Sequence, residues 1–121
     1  MRDLKINKQI VIKFTIEGIH CWDTCNIEEV GYLKLMHRHL FYITITKNVS
    51  HNDRDIEIIK FKREVIEYLN KKYYSQEYKC CNFERMSCED IAEQILFIFN
   101  SDSVKVLEDN ENGALLFTEN L

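Results

Sequence analysis

The alternation of apolar and polar positions resolves the start of the chain into strands. From Gln9 to Glu17, Ile10, Ile12, Phe14 and Ile16 share one face, while Lys13, Thr15 and Glu17 take the other. Gly18 then allows a bulge or bend, and His20 follows at once. A second strand, rich in β-branched and aromatic residues, is expected over Leu35–Thr46, where His37 and His39 share a face with Phe41, Ile43 and Ile45. The intervening Cys21–Lys34 segment reads as a long loop, a length often kept for function. Polar residues from Asn48 to Arg54 read as a hairpin turn, and Asp55–Ile59 as a return strand.

From Lys60 the period becomes helical, with Phe61, Val65, Tyr68 and Leu69 at three- and four-residue steps. Tyr73 to Asn82 reads as a polar connection that contains Cys80-Cys81. Ser87, with Asp90 three residues on, marks the start of a second helix. Its buried stripe is Ile91, Ala92, Ile95, Leu96, Ile98 and Phe99, and Asn100 ends it. Ser103–Glu108 and Ala114–Thr118 are the last two strands, joined by a turn over Asp109–Gly113. The order β, β, β, α, α, β, β predicts one α+β domain over residues 1–121. Its expected form is an antiparallel sheet of four to five strands with two helices on one face.

Composition narrows the function classes. A net charge of −4 argues against a broad basic surface for nucleic acid. No apolar run approaches membrane-spanning length, and the first residues lack the apolar stretch of a signal peptide. A cytoplasmic location is the expectation, and there the five cysteines are thiols, ligands or core residues rather than disulfides. With no proline and only Gly18, Gly31 and Gly113, the turns fall to Asn, Asp and Ser.

The candidate chemistry lies with the histidines. His37 and His39 point the same way at the start of their strand. If the first two strands pair antiparallel, the end of one lies beside the start of the other, and His20 joins them. Three neutral imidazoles with an open fourth position suit zinc.

These residues resemble a known family. Phe14–His20 followed by His37-Arg38-His39-Leu40-Phe41 is similar to the zinc motif of the 6-pyruvoyl-tetrahydropterin and 6-carboxy-tetrahydropterin synthases, proteins of the tunnelling fold (T-fold). Glu57–Lys62 and Met86–Ala92 resemble the starts of that family's two helices, and Val104–Glu108 its penultimate strand. The resemblance runs in order along nearly the whole chain. It implies a β2α2β2-like fold, a homo-oligomeric ring such as a hexamer, and zinc held by His20, His37 and His39. It implies that Glu108 anchors the amino-pyrimidinone edge of a pterin, guanine or related purine by accepting two parallel N–H bonds. Ser87, Cys88 and Glu89 would line the same pocket.

The chain also departs from the family. Arg38 replaces the glycine between the two histidines, and Leu33 stands near the family's proton-transferring cysteine. The Asp-His pair expected between the helices has no counterpart near Asn70–Tyr74. These losses point away from the standard synthase reaction. Cys25 is the candidate replacement base, and is otherwise a fourth ligand or a buried thiol. Glu28 and Glu29 are further bases in that loop, with a solvated face the plainer fate, and His51 sits in a turn facing solvent. Three functions follow: a zinc and purine or pterin binder without the synthase reaction, a zinc-dependent lyase or hydrolase with a relocated base, or a nucleotide-sequestering oligomer. In the last, Lys34, Arg38, Lys71 and Lys72 could contact phosphates.

Overall fold

The computed structural model describes residues 4–119. Two long strands form its centre, β1 (Gln9–His20) and β2 (His37–Asn48), paired antiparallel without interruption from Gln9↔Asn48 to His20↔His37. Gly18 allows a bulge or bend, and the register carries no bulge there. The glycine serves a close approach instead. A Cβ there would stand 2.6 Å from the Phe83 ring and 3.1 Å from Phe41.

Helix α1 is Ile58–Tyr73, followed by the short strands β3 (Tyr74–Ser75) and β4 (Cys80–Asn82). Helix α2 is Cys88–Phe99, and β5 (Ser103–Glu108) and β6 (Asn112–Phe117) complete the described chain. The sheet order is β3-β4-β1-β2-β5-β6. A 3-10 segment, Glu28–Lys34, lies within the connection that reads from sequence as a loop.

The expected fold class is therefore corrected. Among the described residues the sheet has six strands rather than four or five, and it is mixed, because β4 runs parallel to β1 through Gly18↔Cys81 and Ile19↔Asn82. Three helical segments among the described residues, not two, accompany it. The extra strands escape sequence reading because β3 and β4 together hold only five residues, too few for a period to emerge. The return strand expected at Asp55–Ile59 does not form. The Glu57 carboxylate accepts the N–H groups of Ile59 and Lys60, caps α1, and draws Ile58 and Ile59 into the helix.

One face of the sheet carries the core. Ile12, Phe14 and Ile16 of β1 meet Phe41, Ile43 and Ile45 of β2 and Val104 and Val106 of β5. Phe61, Val65 and Leu69 of α1 and Ile91, Ala92 and Ile95 of α2 cover them. A fully buried aliphatic or aromatic side chain contributes roughly 1.5–3 kcal/mol. Helix α2 begins with the reciprocal cap foreseen at Ser87 and Asp90 and ends at Asn100 in the left-handed conformation, φ 50°. Among the described residues no helix is long and apolar enough to cross a membrane.

Candidate metal centre

The β1–β2 register builds most of the site. His20 pairs with His37 and Gly18 with His39, so three imidazoles share the inner face at the end of the sheet. Their ring centres lie 4.6 Å (His20–His37), 4.9 Å (His37–His39) and 5.3 Å (His20–His39) apart. Phe41, fully buried, packs edge-on beneath His20 and His39 and forms an apolar floor. Strand β5 pairs Glu108 with Phe41, which brings the carboxylate up against the same rings. One ligand atom from each of His20, His37, His39 and Glu108 lies within 4.8 Å of the others.

Each ring is held from behind. His20 Nδ1 is 2.8 Å from the Met86 carbonyl oxygen, and His37 Nδ1 is 2.8 Å from the Leu35 carbonyl oxygen. His39 Nδ1 is 2.7 Å from Asp109 Oδ2. Carbonyl and carboxylate oxygens only accept, so each Nδ1 carries the proton and donates. In the neutral rings Nε2 then presents a lone pair to the centre. Nε2 of His20 and of His39 lie 2.7 Å and 3.3 Å from Glu108 Oε2, yet both are buried without a hydrogen-bond partner. These are approaches of acceptor to acceptor, which a shared cation reconciles. Burial pushes the His20 pKa below its ordinary value, only partly offset by the Met86 carbonyl and Glu108, so this ring is held neutral. The donor set fits a borderline-soft divalent ion such as zinc.

A cavity of about 540 Å³ adjoins the centre. His20, His37, Glu108, Ser87, Cys88 and Glu89 line it, together with Cys21, Trp22, Leu33 and Met86. Ser87 lines it while its hydroxyl oxygen is already committed to the Asp90 N–H. Cys88 is buried, and burial, followed by the nearby charges of Glu108 and Glu89, pushes its thiol up to about 12. Cys25 is not among the lining residues. It is buried within its own loop, its thiol 3.7 Å from the Ile27 and Val30 carbonyls.

The remaining singled-out groups lie elsewhere. Tyr73 and Tyr74 line a neighbouring cavity of about 910 Å³ with Lys72 and Arg85. His51 is exposed, its Nδ1 accepting the Asp53 N–H. Arg38 bonds Glu17 and the Tyr78 carbonyl, away from the imidazoles. Sequence reading placed Asp109 only in a turn, and the structure makes it the partner of His39. Its one sequence signal is a second carboxylate directly after Glu108. The Met86 carbonyl has no sequence signal, because every residue carries one.

No protein-family model matches the chain. No curated protein matches it either. Among solved structures, the crystal structure of the uncharacterized protein WS1659 from Wolinella succinogenes is similar, with a TM-score of 0.67 and 14% identity over 95% of this chain and 100% of that one. At that identity the likeness is one of fold.

Proposed function

We propose that this chain binds a zinc ion through His20, His37 and His39 and takes a small nitrogen heterocycle, a pterin, guanine or related purine, in the adjoining cavity. The carrying observation is the common orientation of the three rings. Each Nδ1 is tied to an oxygen, so three Nε2 lone pairs converge beside the Glu108 carboxylate. A zinc ion bound there would act as a Lewis acid and lower the pKa of a bound water or substrate group. Glu108 stands at the junction of centre and cavity, where its carboxylate can take the paired N–H donors of an amino-pyrimidinone ring. The resemblance to tetrahydropterin synthases supports the same assignment.

The cavity also supports binding without the standard synthase reaction. Leu33 stands in its wall, near the position where that family has its cysteine, and supplies no proton-transferring group. Cys25 lies outside the lining, and Cys88 holds its proton at neutral pH. The resemblance adds a homo-oligomer to this reading. Five free thiols fit a reducing, cytoplasmic setting.

Metal analysis of the purified protein, then zinc titration of the chelator-stripped protein with His37→Ala as control, tests the metal. One zinc per chain in wild type and a loss of at least tenfold in affinity in the variant are expected. A folded wild type that neither carries nor takes up zinc sinks the reading. Thermal shift with guanine and dihydroneopterin tests the cavity, and no shift with either, in zinc-loaded protein, removes the heterocycle.

A further inference from the structure

We propose that Asp109 is a positioning residue that fixes His39 as a metal ligand, an inference that rests on the metal reading above. Asp109 and Asn110 both have positive φ, 55° and 61°, and the Glu111 N–H closes onto the Glu108 carbonyl 2.9 Å away. This is the positive-φ pair of a I′ turn, a conformation that Asp and Asn tolerate. The turn swings Asp109 back across β2, where it makes three bonds. Its N–H donates to the Leu40 carbonyl at 2.8 Å. Its Oδ1 accepts the Leu40 N–H at 3.0 Å, and its Oδ2 accepts His39 Nδ1–H at 2.7 Å.

The β2–β5 ladder ends at Phe41↔Glu108. Asp109 therefore grips two residues of β2 just past the last ladder pair, and one of them is a candidate ligand. A neutral imidazole free in water populates both tautomers, and only the Nδ1–H form can bind metal through Nε2. The carboxylate selects that form, fixes the ring plane and raises the basicity of Nε2.

Asp109→Asn isolates this role. An asparagine tolerates the same backbone conformation, but its amide has one acceptor oxygen and cannot serve both Leu40 N–H and His39 Nδ1–H. Asp109→Gly keeps the backbone and removes both acceptors. Zinc affinity, measured by competition with a chromophoric chelator, is expected to fall about 10- to 100-fold in both variants. In metal-free protein, long-range proton–nitrogen NMR is expected to show His39 protonated at Nδ1 in wild type and mixed with the Nε2–H form in Asp109→Asn. Variants that bind zinc as wild type does, or a wild-type His39 protonated at Nε2, overturn the proposal. Should Asp109→Asn fail to fold, Asp109→Gly and the wild-type spectrum decide. A wild type that binds no zinc, with His39 still protonated at Nδ1, sinks the metal reading and upholds the orienting bond.

Discussion

The ring of His20 is bonded from behind by the carbonyl of Met86, with Nδ1 and oxygen 2.8 Å apart across sixty-six residues of chain. The bond ties the end of β1 to the connection that enters α2. His37 makes the same bond to Leu35, only two residues away. The two histidines therefore do unequal work in the fold while offering the same atom to a metal.

This inequality separates two alanine variants. His37→Ala is expected to weaken zinc binding strongly and to change stability by less than about 1 kcal/mol, since its ring is bonded locally. His20→Ala is expected to weaken zinc equally and also to cost roughly 1–3 kcal/mol in the metal-free protein, because a buried ring is removed and the part-buried Met86 carbonyl loses its donor. Urea unfolding of both apo proteins checks this, and equal stabilities would refute the distinction.

The metal-free protein should lose stability on mild acidification. The folded-state pKa of His20 lies below its ordinary 6.5, so between the two values the unfolded chain binds a proton that the folded chain does not. The stabilisation is complete above the unfolded value and fades as pH falls below it. Asp109, lowered from 3.8 by the hydrogen bonds from His39 and Leu40, adds a loss of the same sign at lower pH. Unfolding free energies followed from about pH 8 to 5 should fall, and His20→Gln should flatten the curve near the histidine range. An unchanged slope in that variant would count against burial as the cause.

Gly18→Ala is expected to cost about 1–3 kcal/mol through overpacking. Its new methyl would meet the Phe83 ring at 2.6 Å, and Phe83 and Phe41 are both fully buried with little room to yield. Because Phe41 is the floor beneath His20 and His39, zinc affinity should fall with stability. Wild-type values for both would show that the aromatic pair relaxes freely.

Alkylation should sort the cysteines. The thiols of Cys81 and Cys88 are raised by burial to about 11 and about 12. At pH 8 the thiolate of Cys88 is then on the order of one part in ten thousand. Half-exposed Cys21 should be labelled by iodoacetamide well before either, as read by peptide mass spectrometry of the native protein. Early labelling at Cys88 would reopen it as a nucleophile in the cavity.

Ser87→Ala should reduce stability by about 1 kcal/mol through loss of the α2 cap. Zinc affinity should stay as in wild type, since the hydroxyl oxygen serves Asp90 and not the imidazoles. A selective loss of heterocycle binding without loss of stability would instead assign Ser87 to the ligand.

The amino-acid sequence by itself determined the long strands, the two α-helices though not the 3-10 segment, and the identity of the clustered side chains. Period-two patterning specifies which residues of β1 and β2 face inward, and one continuous antiparallel register then sets His20 beside His37 and Gly18 beside His39. The α2 boundaries were legible because Ser87 and Asp90 cap the helix start through their own side chains, and Asn100 takes the left-handed backbone conformation that ends it. The sheet's outer strands were not, because five residues in β3 and β4 carry no period and are held by pairing across the chain. The Asp55–Ile59 stretch misled because alternating isoleucines mimic a strand, and only the Glu57 cap shows the helix to be the better solution. The tertiary structure alone decided how the rings are aimed. The Met86 carbonyl and the Asp109 carboxylate reach His20 and His39 across long separations in the chain, and hydrogen bonds of that kind leave no periodic trace in composition or spacing.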